Sequence, residues 1–315
     1  MMRDDRVARR RRSGRAAHVQ TAIVMALAAM PVWGADAPAK TKSAKPTTRP
    51  ADPTTCPVGP RSAKVEPWQP LFRGVDGTSA STQTPRPLHA YAVRIDMTDP
   101  TIEFFVTPSN GDEPLDTNGL KTSSFLTKYK CQVAINATPY SPLVGREGQP
   151  TDILGLSISR GDPYSPQNDT YGALLITRNN KAWIATPPIR TKRAHNAVGG
   201  FRLLLKDGQN VGWDDVLHPR SAAGISKDGK YLYLVVIDGR QKGYSEGTTT
   251  GETAEWMRRF GAWNALNLDG GGSSALVVDD GRGGAKVLNR PIQMGIPGNE
   301  RINGNALGVF AKPRE

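Results

Sequence analysis

Hydrophobic and polar positions alternate along much of this chain in short runs, the two-residue period of strands covered on one face. His89-Ala90-Tyr91-Ala92-Val93-Arg94-Ile95-Asp96 is one such run, and residues 101–107 read as its partner across the Asp99-Pro100 turn. Gln132-Val133-Ala134-Ile135 predicts a buried strand that ends on Asn136. Residues 154–159, 173–177 and 182–185 predict further strands, the last two joined by a hairpin turn at Arg178-Asn179-Asn180-Lys181. A continuous strand is expected over 197–205, turning at Lys206-Asp207-Gly208, and another over 218–225. The run 231–240 is nearly all apolar, which predicts a central strand covered on both faces and carrying Asp238 at its end.

Two segments change period. Residues 122–129 predict a short helix capped by Ser123 or Ser124. Residues 249–261 predict a stronger one: Thr249 and Glu252 have capping-box spacing, Ala254, Trp256, Met257 and Phe260 form an apolar stripe, and Gly261 ends it. Near the end, apolar runs at 265–268 and 275–278 flank Asp269, Gly270, Gly271, Gly272, Ser273 and Ser274, a strand, a sharp bend and a strand. Residues 305–311 predict a closing strand. The pattern is that of an α+β protein, a single domain of mixed β-sheet with a few helices over residues 71–315.

Composition alters this picture at the N-terminus. The sequence has a net charge of +12, but 13 Lys and Arg against 4 Asp and Glu lie in residues 1–64, leaving 28 against 25 elsewhere. The body is nearly neutral, which argues against the dense basic surface that nucleic acid requires. Residues 1–35 read as a signal peptide: arginines through Arg15, an apolar run to Trp33, then Gly34 and Ala35. Cleavage there predicts a periplasmic or secreted protein, with no membrane span in the mature chain unless the signal stays uncleaved. Residues 36–70, rich in Pro, Thr, Ala and Lys, bury too little to offset their ordering entropy and predict a disordered linker. Cys56 and Cys131 could form one disulfide, and two Cys with four scattered His show no metal-site spacing.

The chemistry concentrates on the glycine bend. Three glycines strip the side chains from a point where backbone amides can turn inward as an anion-binding nest, beside two hydroxyls and the Asp269 carboxylate. No Lys follows the glycines and a strand follows where a helix would be required, so this is not a nucleotide-binding P-loop. The equally bland alternatives are a bulge for the glycines, a turn for Asn136 and simple capping for Glu252.

The order of motifs resembles that of the phosphodiester glycosidase family: V-A-I-N at 133–136, H-P-R-S-A-A-G at 218–224, V-I-D-G-R at 236–240, G-E-T-A-E-W at 251–256, N-L-D-G-G-G-S-S at 267–274, N-R-P at 289–291 and E-R-I-N-G-N-A-L at 300–307. The resemblance implies an exported hydrolase that cleaves the C1–O bond of a sugar-1-phosphodiester, with a carbohydrate phosphodiester as partner and neither cofactor nor metal. Carried residue by residue, it implies Asp269, Asp238 and Glu252 as catalytic carboxylates. Asn136, Arg220, Arg240, Gly270, Gly271, Gly272, Ser273, Ser274, Asn289, Arg290 and Arg301 would bind substrate and phosphate. Ala137-Thr138-Pro139-Tyr140 departs from the family's glycine and paired aromatics, implying a different pocket wall and sugar specificity. Two other functions fit the same pocket: a phosphodiesterase that cuts the P–O bond, and a non-catalytic module for glycan binding or exopolysaccharide and envelope assembly.

Overall fold

The structure, a computed structural model, describes residues 63–314. The expected signal peptide, the expected linker up to residue 62 and Cys56 lie outside the described residues. The ordered body starts earlier than residue 71, because Lys64–Val65 and Gln69–Phe72 are already strands, both paired with Val75–Thr82. Trp68 explains the extension: its indole packs on Tyr233 and Phe260, an apolar anchor inside an otherwise polar stretch.

Three antiparallel sheets close around one apolar core. The large sheet runs from Val75–Thr82 through Leu88–Asp96, Tyr231–Ile237, Arg220–Ile225, Asn264–Asn267 and Arg202–Lys206 to Gln209–Asn210. A second sheet has the order Ala285–Val287, Leu276–Asp279, Val133–Asn136, Ala306–Phe310, Glu103–Val106, and a third the order Asp162–Ser165, Ser157–Ser159, Asn196–Gly200, Gly172–Ile176, Ala182–Ala185. Val93, Ile95 and Leu234 from the first, Val133, Ile135 and Leu307 from the second, and Leu174, Ile176 and Val198 from the third meet in the core. Helix α1 (Thr122–Tyr129) covers the outer face of the second sheet with Phe125 and Leu126, and α2 (Thr250–Phe260) covers the large sheet with Ala254, Trp256, Met257 and Phe260.

The apolar run at 231–237 is explained by this double cover. Leu232, Leu234 and Val236 enter the central core, while Tyr233, Val235 and Ile237 pack under α2. The α2 capping box forms as expected, with the Thr249 Oγ1 accepting from the Glu252 N–H at 3.1 Å and Glu252 Oε2 from the Thr249 N–H at 3.0 Å.

Several expectations are corrected. Every ladder among the described residues is antiparallel rather than mixed: α2 does connect Tyr231–Ile237 to Asn264–Asn267, which run in the same direction, but Arg220–Ile225 lies between them and is antiparallel to both. Residues 101–107 do not pair with 89–96, because Val75–Thr82 and Tyr231–Ile237 occupy both edges of that strand; Glu103–Val106 pairs instead with Ala306–Phe310. The expected strand 197–205 is two strands in two sheets, broken at Phe201. Helix α1 has Lys121 at its N-cap position, with no side-chain cap from Ser123 or Ser124; Glu300 Oε1 accepts from the Ser123 N–H at 3.2 Å instead. Cys131 is a free, buried thiol whose pKa burial pushes up to about 12.

Leu234 is fully buried between the sheets. Leu234→Ala is expected to lower the unfolding free energy by about 2–5 kcal/mol, read by urea denaturation.

Candidate functional site

The glycine bend is where the chain leaves one sheet for another. Asn264–Asn267 belongs to the large sheet and Leu276–Asp279 to the second, and residues 269–275 make the crossing. One buried amide closes it. Asn136 Nδ2 donates to the Asp269 carbonyl at 2.6 Å, and Asn136 Oδ1 accepts from the Ala275 N–H at 3.1 Å and from Ser221 Oγ at 2.7 Å. Phe201 marks a second crossing, from the third sheet to the large one, and Gly200 is needed there because a Cβ would lie 2.5 Å from the Asn267 carbonyl oxygen.

The two crossings frame a cavity of 180 Å³ lined by Phe201, His218, Pro219, Arg220, Arg240, Asn267, Asp269, Gly270, Gly271, Gly272 and Arg301. Its glycines serve close approach. A Cβ on Gly272 would sit 2.6 Å from Arg301 Nη2, and Gly271, at φ +63°, has Arg240 Nη2 3.1 Å from its Cβ position. Two of the three amides expected in an inward nest are bonded within the protein: the Gly270 N–H donates to Asp269 Oδ1 at 3.0 Å and the Gly271 N–H to the Pro219 carbonyl at 2.8 Å. Positive charge reaches the bend through guanidiniums laid against bare backbone instead.

Arg220 is anchored by donating to the Thr248 carbonyl at 2.9 Å, to Asp215 Oδ1 at 2.9 Å and to the Val216 carbonyl at 2.7 Å. Arg301 donates from Nε to Gln293 Oε1 at 2.7 Å. Arg240 Nη2 lies 3.2 Å from His218 Nδ1; a guanidinium only donates, so Nδ1 accepts and the imidazole proton sits on Nε2. Burial, then Arg240 and Arg220, hold the His218 pKa below its ordinary value, so the ring is neutral at pH 7. Burial and the Arg301 charge lower the Arg240 pKa, a sign of cations crowded together. Asp269 is the one carboxylate in the lining. Burial pushes its pKa up to about 6, against the opposing pull of the nearby Ser273 hydroxyl, Arg301 and the Gly270 amide.

Asp238 and Glu252, expected beside Asp269, are placed elsewhere. Asp238 is buried behind the cavity, accepting from Asn289 Nδ2 at 3.0 Å, from the Arg290 N–H at 2.9 Å and from the Tyr244 hydroxyl at 3.3 Å. It fastens the 289–290 segment to the large sheet, and burial pushes its pKa up to about 6. Glu252 closes the α2 capping box and pairs with Arg86. Asn289, Arg290, Ser273 and Ser274 are outside the lining: Asn289 bridges Asp238 and the Ser274 carbonyl, Arg290 lies over the Tyr244 ring, and both serine hydroxyls are buried. Residues 137–140 do not line the cavity either; the Tyr140 hydroxyl donates to the Ile302 carbonyl, behind Arg301.

Sequence reasoning missed Phe201, His218, Pro219 and Asn267 as lining residues. His218 and Pro219 open the H-P-R-S motif and Asn267 opens N-L-D-G-G-G, so a signal was present for three of them. A larger cavity of 490 Å³ beside Arg160 and Arg178 also carries Asp99 and Glu103, so it favours neither sign of charge.

Comparison with known proteins gives this geometry a context. The sequence profile of the phosphodiester glycosidase family matches residues 129–310, which contain every lining residue. The chain belongs to the phosphodiester glycosidase family. It is 28% identical over 200 residues to the SPbeta prophage-derived uncharacterized protein YomE of Bacillus subtilis, a match that takes in 58% of this chain and 28% of that protein's length. The fold is shared with the zebrafish N-acetylglucosamine-1-phosphodiester alpha-N-acetylglucosaminidase catalytic domain, solved auto-inhibited by its pro-peptide. That likeness has a TM-score of 0.56 and 17% identity over 79% of this chain and 88% of that one. A hypothetical protein from Synechocystis is similar at a TM-score of 0.62 and 16% identity, over 78% of this chain and 64% of its own.

Among the described residues, the lining side chains of this family member that could ligate a cation are Asp269, His218 and Asn267, and the first two stand beside guanidiniums. The arrangement suits an anion. Because the folded-state pKa of Asp269 is raised above its unfolded value, its carboxyl favours the fold below about pH 4 and loses that contribution as pH rises through about 6. Asp269→Asn is therefore expected to match the wild-type melting temperature near pH 4 and exceed it above about pH 6, measured by calorimetry across that range.

Proposed function

We propose that this protein is a hydrolase that cleaves the C1–O bond of a sugar-1-phosphodiester, releasing a free sugar and a phosphate monoester. The observation that carries this reading is a single carboxylate, Asp269, facing a cavity whose other charged walls are Arg220, Arg240 and Arg301. Two of those guanidiniums, Arg240 and Arg301, have no carboxylate within ion-pair distance among the described residues, so they are available to a phosphodiester.

The chemistry follows from the leaving group. A phosphate monoester departs as an anion and needs charge stabilisation more than a strong proton donor, so one carboxylate suffices where glycosidases with poor leaving groups use two. Asp269 takes a proton from water as the water oxygen bonds to C1. The C1–O bond breaks and its electron pair leaves on the phosphate, held by the guanidiniums. His218 presents its Nε2–H as a neutral donor to the same oxygens. The basic head and apolar run of residues 1–35 support action outside the cytoplasm.

Hydrolysis in oxygen-18 water should place the label in the sugar; label in the phosphate would show P–O cleavage and overturn the reading. Asp269→Asn should lower kcat about 10³-fold, and wild-type kcat/KM should fall on the acid side with an apparent pKa of about 6. A glycan-binding module would show saturable binding and no product in the same assay.

A further inference from the structure

The arginines of the cavity are not held alike. Arg220 donates to the Asp215 carboxylate at 2.9 Å, so part of its charge is compensated within the protein. Arg301 donates from Nε to Gln293 Oε1 at 2.7 Å, and its Nη groups donate to no other described residue. An amide oxygen is a neutral acceptor. It fixes the plane of a guanidinium as a carboxylate would, without cancelling the charge that a bound anion meets.

The pair lies against the glycine bend itself. A Cβ on Gly272 would meet Gln293 Oε1 at 2.5 Å and Arg301 Nη2 at 2.6 Å, so the missing side chain makes room for both partners of the hydrogen bond and not for the arginine alone. Gln293 is presented by a short hairpin, Ile292–Gln293 paired with Ile296–Pro297. Its turn is Met294 and Gly295, at φ +54° and +73°, the two left-handed residues of a tight two-residue connection. The Gly298 N–H donates to the Pro291 carbonyl at 2.7 Å and closes the base.

The root of that hairpin gives buried Asp238 a purpose. Asp238 accepts from Asn289 Nδ2 and the Arg290 N–H, Gln241 Nε2 donates to the Arg290 carbonyl at 2.9 Å, and Asn289 Oδ1 accepts from the Leu276 N–H at 2.9 Å. Residues 289–290 are tied to the large sheet through Asp238 and to the second sheet through Leu276, the same two sheets that the glycine bend joins. Hairpin and bend therefore share their supports, and Gln293 is held in register with the backbone it lies against.

We propose that Gln293 is the positioning residue for Arg301: its amide oxygen sets the guanidinium on the glycine bend and leaves the positive charge whole for the phosphate. The proposal rests on the reading of the cavity as a phosphodiester site and adds to it a residue outside the lining. The phosphate gains negative charge as the C1–O bond breaks, so an arginine that is placed but uncompensated stabilises the transition state more than the bound diester.

The test is calorimetric titration of the full chain with methyl phosphate, comparing wild type with Gln293→Glu and Gln293→Met. Gln293→Glu keeps an acceptor of the same shape but compensates the guanidinium, whereas Gln293→Met keeps the shape and removes the acceptor. Both are expected to weaken methyl phosphate binding about tenfold. A merely structural role for Gln293 leaves Gln293→Glu within about twofold of wild type, and that result overturns the proposal. Binding within about twofold in Gln293→Met also overturns it, as does a wild type that binds no methyl phosphate. Sugar release from a hexose-1-(methyl phosphate) is read separately. Expected binding with no sugar released by wild type overturns the hydrolase reading alone; sugar released at equal kcat by all three chains overturns the role of Gln293 alone.

Discussion

The structure depends on one buried amide meeting its hydrogen-bonding needs. Asn136 sits with no exposed surface at the end of a strand of the second sheet, where an unpaired amide would be costly. Its three hydrogen bonds reach the carbonyl that opens the glycine crossing, the N–H that ends it, and Ser221 on the large sheet. Two sheets are thereby held at a fixed separation, and the bend between them can place Asp269 at a cavity rather than in the core. The side chain does not itself line the cavity, but it holds the backbone of Asp269, which does.

The two aspartates show how similar environments lead to different roles. Both end strand runs and both have pKa values raised to about 6 by burial. Asp238 is saturated with donors from Asn289, Arg290 and Tyr244 and works as a fastening for the segment at 289–290. Asp269 accepts from one backbone N–H and has an open side toward the arginines. A raised pKa alone does not separate fastening from chemistry; what the carboxylate faces does.

The sequence made most elements legible, because the fold covers its strands in ways that leave clear periods. The run at 231–237 and the amphipathic stripe of α2 both reflect cover from a helix and a core. Sheet membership was not legible. Phe201 breaks a run that looks continuous, and Glu103–Val106 follows a turn that invites a hairpin, yet partner choice depended on which sheet edges were already filled. At the site, the motifs pointed to Arg220, Arg240, Asp269 and Arg301, all of which line the cavity. They could not tell a residue on the wall from one behind it, which is why Asp238, Glu252 and Asn289 looked equivalent to Asp269. Nor could they show that the glycines exist to admit guanidiniums rather than to free their own amides, since that requires Arg240 and Arg301 in three dimensions.

The position of the last strand bears on how the molecule comes into being. Ala306–Phe310 does not lie at an edge; it sits between Val133–Asn136 and Glu103–Val106 and bonds to both. The second sheet therefore stays divided until residues near 310 have left the ribosome, and ladders that join such distant parts of a chain form slowly. With that sheet incomplete, Asn136 lacks its neighbour Ala306 and Arg301 has no fixed place. Assembly of the cavity thus waits for residues near 310 to take their place between two strands laid down much earlier in the chain.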